Sequence, residues 1–419
     1  MFSVVGLKGF WLVFILLFVL IVVGASAFFF FSNRLAVGSL LAFYPVCPGN
    51  VSGVLTYPLM ETKYISALIP FGNLNPPGHT SPVDHNYFLS PLEYVGTEIP
   101  IYHPADSWIT HIASETRLND TTGKYEPSGY SITYTLCSGV KIEIAGYVRL
   151  SPELLSALSQ AIQKGCKEGI VKPNHPTSGS CEYEMNYKVQ SGQIAGWAIG
   201  DLHQTIEVWA YNFNRKPRED VDWDYYNYGN YQYSFCLFDL YSGDMRGAYY
   251  QKFGGTIEES GGKNLNPSAA IKNVSFIPRT IEPRCGRINQ DVVGTIQGMW
   301  WGEDKKSGGD WSIEFDGKGL AFVHDNIDPT KGAISIGGNF IDNPQEVWFE
   351  PTHSGLIDRE PSEVGADGRI YCYDGASDKS WTPNRILVQL TDDHHLKVEA
   401  KPGKCGASES FSILYTYQR

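Results

Sequence analysis

Ser131-Ile-Thr-Tyr-Thr-Leu136 and Val140-Lys-Ile-Glu-Ile144 are two short runs in which apolar and polar side chains alternate. Alternation of this kind is typical of a β-strand with one buried face, because successive side chains of a strand point to opposite faces. Two further strand-like runs are Tyr64-Ile-Ser-Ala-Leu-Ile-Pro70 and Thr205-Ile-Glu-Val-Trp209, and Gly, Pro and Asn turns separate them. The sequence therefore predicts a mainly β fold.

The composition agrees with many strands joined by turns. Aromatic residues make up 13% of the 419 residues and charged residues only 19%, and the chain contains 43 Gly and 24 Pro. The net charge of −12 is spread along the chain, and no basic stripe is present. Because nucleic-acid binding depends on such a stripe, we expect no nucleic-acid partner.

One segment has the pattern of a helix. Ser151-Pro152-Glu153 supplies an N-cap, a proline in the first turn and an early acidic residue. Apolar residues then recur at helical spacing, namely Leu154, Leu155, Leu158 and Ile162.

The N-terminal segment predicts a membrane anchor. Residues 10–31 contain no charged side chain, and at about 1.5 Å rise per residue they can cross a hydrocarbon core of roughly 30 Å. Ala25-Ser26-Ala27 also fits the pattern of a signal-peptide cleavage site, so a cleaved signal is the alternative. The four Phe residues after that site extend the apolar run and favour the anchor.

Cysteines and sequons indicate that the folded part lies outside the cytoplasm. All 8 cysteines follow the anchor, and none forms a Cys-x-x-Cys motif, so disulfides in an oxidising compartment are the simplest interpretation. Sequons at Asn50, Asn119 and Asn273, each in a turn-like polar stretch, predict glycosylation. We therefore expect a single-pass protein of the cell membrane with an extracytoplasmic C-terminal bulk.

The chain divides into five predicted regions. These are a transmembrane anchor (1–34), a connector (35–61), a β-barrel domain (62–253), a linker rich in Gly, Ser, Asn and Pro (254–284) and a second β-barrel domain (285–419).

Four pieces of the first domain occur in an order that resembles the lysostaphin-like zinc endopeptidases. They are Ile69-Pro-Phe-Gly72 with Pro77-Gly-His-Thr-Ser-Pro-Val-Asp84, Ile101-Tyr-His-Pro-Ala-Asp-Ser-Trp-Ile-Thr110, Ala145-Gly-Tyr-Val-Arg-Leu-Ser151, and Gly192-Gln-Ile-Ala-Gly196 leading to His203-Gln-Thr-Ile-Glu-Val208. The resemblance covers residues 62–215 and implies the duplicated-hybrid-motif β-barrel of that family.

The resemblance also implies a zinc site, held in the family by His, Asp and His with one position open for water. The first ligand falls on His79, and Asp84 follows it at five residues, where the family has four. A family catalytic histidine falls on Arg149, and the closing His-x-His falls on His203 and Thr205. Because a threonine hydroxyl is a poor zinc ligand and Arg149 carries a permanent positive charge, we expect a degenerate site without catalysis or cofactor.

Two alternatives stay open for this region. One is a rearranged zinc site, drawn from His79, Asp84, His85, His103 and His203. The other is a groove in which His79, Asp84, Arg149 and His203 together grip an anionic or peptide-like ligand. The aromatic run from Asp222 to Tyr233 is typical of a contact surface or of the cover of a second hydrophobic layer.

The second domain resembles the lipocalin-like (calycin) barrels. Gly298-Met299-Trp300 is similar to the Gly-x-Trp motif of that family, in which an arginine of the last strand packs across the indole. Arg419 is the candidate for that role in closing the barrel. A plain β-sandwich is the alternative. Cys372 and Cys405 could pair, and His394-His395 marks a hairpin turn rather than a metal site.

The predicted function is non-catalytic. We expect a membrane-anchored binding or scaffolding protein whose partner is an envelope glycan, a peptide or a protein. The alternatives are a zinc endopeptidase acting on cell-wall peptides and a carrier of a small apolar ligand inside the second barrel.

Overall fold

The computed structural model describes residues 44–76, 78–119, 124–162, 167–168, 178–217, 230–260, 271–302, 319–338, 341, 344–375 and 385–419. The predicted anchor, residues 10–31, and its alternative cleavage site lie outside these ranges. Within them, no helix combines the length and the apolar character needed to cross a membrane. Residues Gly49–Arg419 form one compact unit that contains all the described strands.

The first sheet is antiparallel and holds the first ten strands. They are β1 (Ala67–Ile69), β2 (Asn86–Leu89), β3 (Glu98–Tyr102), β4 (Ser107–Asn119), β5 (Lys124–Cys137), β6 (Val140–Leu150), β7 (Lys167–Glu168), β8 (Ser178–Val189), β9 (Ile194–Ile199) and β10 (Ile206–Asn212). The strand order is β1-β2-β10-β6-β5-β4-β8-β7, and β9 pairs with both β6 and β3. The mainly β prediction is confirmed. The identification of this sheet with the duplicated-hybrid-motif barrel stays a prediction.

Alternation along β5, β6 and β10 separates the two faces of the first sheet. One face is buried and consists mainly of aliphatic side chains, among them Ile132, Ile142, Ile144 and Val208. The turn between β5 and β6 contains Gly139, whose φ of 80° is the left-handed conformation that glycine adopts without strain.

Two α-helices accompany the described strands. Helix α1 (Pro152–Ile162) begins where the sequence predicted it, and the Ser151 Oγ atom accepts a hydrogen bond from the backbone N–H of Leu154 (3.3 Å). Helix α2 spans Gly243–Tyr250. Short 3₁₀ helices occur at Thr62–Tyr64, Leu92–Tyr94, Tyr231–Tyr233, Leu237–Leu240 and Pro361–Glu363.

A two-stranded hairpin lies where the sequence predicted a linker. Strand β11 (Gly254–Ser260) pairs antiparallel with β12 (Ile271–Pro278). Asn273 is an exposed residue of β12, so its sequon lies in a strand rather than in a turn. Asn119 is the last residue of β4, and Asn50 is exposed outside any strand.

The second sheet is an eight-stranded, nearly closed antiparallel barrel. Its strands are β13 (Gly298–Gly302), β14 (Gly319–His324), β15 (Gly332–Ile336), β16 (Gln345–Phe349), β17 (Tyr371–Tyr373), β18 (Arg385–Asp392), β19 (His395–Lys401) and β20 (Tyr415–Gln418). Their order is β16-β15-β14-β13-β20-β19-β18-β17. Asp393 and His394 form the predicted hairpin turn between β18 and β19.

Backbone hydrogen bonds of the segment after β16 bridge the gap between the edge strands. The Thr352 N–H donates to the Asp358 carbonyl (2.7 Å), and the Asp358 N–H donates to the Cys372 carbonyl of β17 (2.9 Å). The barrel interior is filled with buried side chains, which include Trp300, Phe322, Tyr373 and Tyr417.

The outer face of β13, β14 and β15 packs against the first part of the chain. Met299, Trp301 and Val323 form a buried cluster with Leu74 and Tyr231. Tyr231 belongs to the predicted aromatic run, most of which lies outside the described residues. Tyr231 thus packs on the hydrophobic layer that Met299, Trp301 and Val323 form outside the barrel.

Disulfide bonds engage Cys47, Cys137, Cys181, Cys236, Cys285, Cys372 and Cys405. Cys236 is bonded to Cys285, 49 residues further along the chain, and Cys372 of β17 is bonded to Cys405. No described cysteine is a free thiol. The first of these bonds ties the segment before α2 to the segment that enters the second sheet.

The C-terminal arginine connects the last strand to the start of the barrel. Its guanidinium carbon lies 4.3 Å from the centroid of the Trp300 ring. The same group donates hydrogen bonds to the carbonyls of Gln297 (2.8 Å) and Thr295 (2.6 Å), just before β13. Arg419 therefore holds the end of β20 against the chain that enters β13.

Replacing Arg419 by alanine removes the contact with the Trp300 ring and these carbonyl hydrogen bonds together. We expect Arg419→Ala to lower the free energy of unfolding by roughly 1–3 kcal/mol. The midpoint of urea unfolding, followed by tryptophan fluorescence, measures this loss. Arg369→Ala is the control, because Arg369 is exposed and its ion pair is with the neighbouring Asp367. Equal losses in the two variants would contradict a role for Arg419 in holding the barrel ends.

Candidate functional site

The face of the first sheet that is turned away from its aliphatic core carries polar and aromatic side chains. Across neighbouring strands Trp209 lies opposite Glu143, Glu143 opposite Thr133, Thr133 opposite His111, and His111 opposite Glu184. Directly opposed residues share a face, so this row of side chains crosses five strands on one surface.

The neighbouring row of paired residues on the same strands adds further carboxylates to this surface. Glu207, opposite Ala145, and Glu182, opposite Ala113, belong to the adjacent row. Glu115 follows Ala113 by two residues and therefore lies on the same face. We call this surface the acidic face, defined by Asp84, Glu115, Glu143, Glu182, Glu184 and Glu207.

Asp84 and His85 form the most buried part of the acidic face. Asp84 Oδ2 accepts hydrogen bonds from the hydroxyls of Ser234 (2.9 Å) and Tyr211 (3.4 Å), and Asp84 Oδ1 lies 3.3 Å from His85 Nδ1. His85 Nε2 is hydrogen-bonded to the Tyr87 hydroxyl at 2.7 Å. Both Asp84 oxygens are thus engaged by neighbouring side chains.

His79 approaches this cluster from the preceding turn. Backbone hydrogen bonds of 2.9 Å between Asn75 and His79, in both directions, close that turn. The imidazole lies edge to face against His85, with 5.5 Å between the ring centroids. Burial, followed by the nearby His85, lowers the pKa of His79 to about 4. His79 is therefore neutral at neutral pH, and its buried Nδ1 atom has no hydrogen-bond partner among the described residues.

Glu143 and Glu207 have perturbed acidities. Burial raises the pKa of Glu143 to about 7, and the neighbouring carboxylates of Asp84, Glu182 and Glu207 act in the same direction. Burial also raises the pKa of Glu207, while the nearby His85 opposes the shift. Glu143 therefore exchanges its proton near neutral pH, and it can donate as well as accept a hydrogen bond.

Aromatic rings lie among these carboxylates. The Trp209 ring centroid is 4.5 Å from that of His85, and the Tyr87 centroid is 4.8 Å from it. Aromatic rings beside hydrogen-bonding carboxylates suit a ligand that combines apolar surface with hydroxyl or amino groups.

Arg149 is engaged by Glu98 and Trp197, and the groove formed with His79, Asp84 and His203 stays a prediction. The guanidinium donates to Glu98 Oε2 at 2.6 Å and lies over the Trp197 ring, 3.6 Å from its centroid. No contact among the described residues joins Arg149 to His79 or Asp84. His203 is an exposed residue of the turn before β10, and its backbone N–H donates to Asp201 Oδ1 (2.7 Å).

The residues present do not fit the zinc site implied by the resemblance. The Thr205 hydroxyl is hydrogen-bonded to the Ser90 hydroxyl (2.7 Å) and accepts from the Asp201 N–H (3.0 Å). His103 is buried elsewhere, 3.0 Å from the Tyr134 hydroxyl, and burial lowers its pKa to about 4. Within the described part of the chain, no group of three or more His, Cys, Asp or Glu side chains is arranged to hold a metal ion.

Asp84 and His79 were predicted from the sequence, whereas the glutamates of the acidic face were not. Their signal was present, because Glu143 and Glu207 occupy the polar positions of alternating strands. Alternation alone gives the face of each residue, but it does not say which strands are neighbours in the sheet.

Comparison with protein-family models, curated proteins and solved structures gave no match for this chain. The resemblance to the lysostaphin-like endopeptidases and to the lipocalin-like barrels therefore rests on the quoted motifs alone.

Glu143→Gln tests the raised acidity of this residue. A carboxyl whose pKa rises from 4.5 to about 7 on folding stabilises the folded state when protonated, and this stability is lost as the pH rises through that window. We expect Glu143→Gln to match the wild type near pH 4.5 and to exceed its free energy of unfolding by about 1–3 kcal/mol at pH 8.

Urea unfolding at both pH values measures the difference for Glu143→Gln. Glu93→Gln controls for the loss of an exposed carboxylate outside the acidic face. A gain that is the same at pH 4.5 and pH 8 would show that Glu143 does not titrate in this window.

Proposed function

We propose that this chain is a membrane-anchored, extracytoplasmic binding or scaffolding protein of the cell envelope, and that it acts without catalysis. The apolar segment of residues 10–31 supports the anchor. The disulfides Cys236–Cys285 and Cys372–Cys405 support an oxidising compartment.

The acidic face is the observation that carries the binding proposal. Its carboxylates are hydrogen-bond acceptors, and Glu182 and Glu184 at the β8 side are exposed to solvent. Such a surface favours ligands rich in donors, which means sugar hydroxyls or the amino groups of a peptide. The anionic ligand suggested by the sequence is not favoured, because the Arg149 guanidinium already pairs with Glu98.

The acidic face suits binding better than hydrolysis. Asp84, the family's second ligand position, accepts from Ser234 and Tyr211, and Thr205 is held by Ser90 and Asp201. A catalytic zinc needs three protein ligands and one open coordination position, and these residues do not supply the three ligands. The observation in favour of a peptidase is the His79 Nδ1 atom, which has no hydrogen-bond partner among the described residues.

The apolar-carrier alternative concerns the interior of the second barrel. That interior contains large buried side chains from both sides of the barrel, among them Trp300, Phe349 and Tyr373. Eight-stranded barrels hold a small ligand only where side chains leave space for it. The packing therefore favours a structural role for this barrel.

Binding to the acidic face is tested on the full chain with two probes, a lysine-rich peptide and a neutral chito-oligosaccharide. We expect saturable binding of at least one probe, and a roughly tenfold weaker affinity in Glu182→Gln/Glu184→Gln, because each substitution removes a charged acceptor. Isothermal titration calorimetry measures the affinity. The double variant Glu93→Gln/Glu153→Gln removes the same charge from exposed positions elsewhere.

The peptide probe responds to amino groups and the oligosaccharide probe to hydroxyl groups. Equal affinity for both double variants would place binding outside the acidic face. Absence of binding for both probes would contradict the proposed ligand classes.

Zinc content tests the non-catalytic part of the proposal. After exhaustive dialysis, we expect elemental mass spectrometry to find far less than one zinc per full chain, because Thr205 and Asp84 are engaged by protein groups. His79→Ala should leave this value unchanged, as should His353→Ala, which alters an exposed histidine. About one zinc per chain that is lost in His79→Ala alone would favour the peptidase.

A further inference from the structure

A cavity of about 350 Å³ lies where the chain passes from the first sheet to the second. Phe71, which follows β1, contributes to its wall, and the remaining lining comes from segments between residues 279 and 329. We call it the junction cavity. Its volume falls within the range of small-ligand pockets, which often form where structural units meet.

The lining is fixed to both sheets. The Asn326 side chain donates to the Pro70 carbonyl (3.1 Å), and Arg279 Nη1 donates to the Asn326 carbonyl (2.6 Å). Arg279 Nε donates to the Pro283 carbonyl at 2.9 Å. These bonds hold the Arg279 guanidinium in one orientation, so the cavity wall is preorganised.

Arg279 is a buried cation with unused hydrogen-bonding capacity. Only 4% of the residue is exposed. Its two hydrogen bonds go to neutral carbonyls, and it forms no ion pair with any described residue. The Nη2 atom makes no hydrogen bond within the same part of the chain. A buried guanidinium is normally matched by an anion, because its desolvation is costly.

Arg287 and His324 lie with Arg279 in the lining of the cavity. Arg287 is an exposed cavity residue that has no ion pair among the described side chains, and its charge acts to lower the pKa of Arg279. His324 also lines the cavity, and its hydrogen bond to Glu360 (3.1 Å) raises the pKa of His324. Arginine remains charged even where burial lowers its pKa.

The acidic residues of the lining are already engaged by protein donors. Asp325 accepts from the N–H groups of Ile327 (2.9 Å) and Asp328 (2.6 Å) through Oδ1, and from the Trp348 indole (3.1 Å) through Oδ2. Both Asp325 oxygens thus accept from groups other than Arg279, although the Asp325 charge still favours the charged form of Arg279.

The other two acids behave in the same way. Asp291 accepts from the Met299 N–H and from the Asn289 amide, both at 2.8 Å. Glu282 pairs with Arg284 at 3.4 Å and also accepts from the Arg284 backbone N–H (2.9 Å). Hydrogen-bond donors of Arg279 and Arg287 are therefore left over, whereas each acid of the lining already accepts from other protein groups.

We propose that the junction cavity binds a small ligand through one anionic group, a carboxylate or a phosphate, held between Arg279 and Arg287. The planar fork of a guanidinium matches both anions. The apolar lining by Phe71, Ile281, Val292 and Pro329 leaves room for a short uncharged part of the ligand. This site is separate from the acidic face, and it does not depend on the function proposed for that face.

The test uses the full chain with inorganic phosphate and succinate as probes, titrated by isothermal calorimetry at constant ionic strength. We expect saturable binding of at least one anion, and about tenfold weaker binding in Arg287→Gln. Arg369→Gln is the matched control, because Arg369 is also exposed and does not line the cavity. Its affinity should equal that of the wild type.

Arg279→Lys keeps the positive charge and removes the planar pair of guanidinium donors. We expect it to weaken anion binding at least as strongly as Arg287→Gln does. If that variant does not fold, Arg287→Gln decides. Binding of phosphate alone identifies a phosphate ligand, and binding of succinate alone identifies a carboxylate ligand. No saturable binding of either anion, or equal affinities in Arg287→Gln and Arg369→Gln, overturns the proposal.

Discussion

Burial of one face of the long antiparallel strands β4, β5 and β6 is the constraint on which the rest of the first sheet depends. Ile112, Ile132 and Ile142 on that face are fully buried. Because side chains alternate along a strand, this burial forces the intervening residues onto the opposite face. Glu143, His111 and Thr133 are assembled there by strand register, without any contact that is local in sequence.

The assembled carboxylates repel one another, and partial burial makes their charge more costly. The sheet accommodates Asp84 by directing two hydroxyls and His85 at it. Fewer hydrogen bonds offset the burial of the Glu143 carboxylate, and its pKa is raised as a consequence. Ligand binding, as proposed for this face, would account for a surface that keeps groups whose charge is costly.

The second sheet follows the same alternation on a nearly closed barrel. Trp300 points into the packed interior, whereas the adjacent Trp301 contacts Tyr231 and Leu74 outside it. Because these two adjacent tryptophans lie on opposite faces of β13, the strand contributes both to the barrel core and to the hydrophobic layer outside the barrel. The junction cavity lies beside that layer, where Arg279 is held by carbonyls of the connecting segments.

The sequence by itself determined the local structure: the strands around Ile132, Ile142 and Val208, helix α1 with its Ser151 cap, and the turn at His394. These depend on periodicity, capping and turn chemistry, which act over a few residues. Only the tertiary structure decided which strands are neighbours. It brought Glu143 beside Glu207, paired Arg149 with Glu98, and joined Cys236 to Cys285. Strand pairing and burial connect residues far apart in the chain. A local sequence pattern does not specify which distant strand becomes the neighbour.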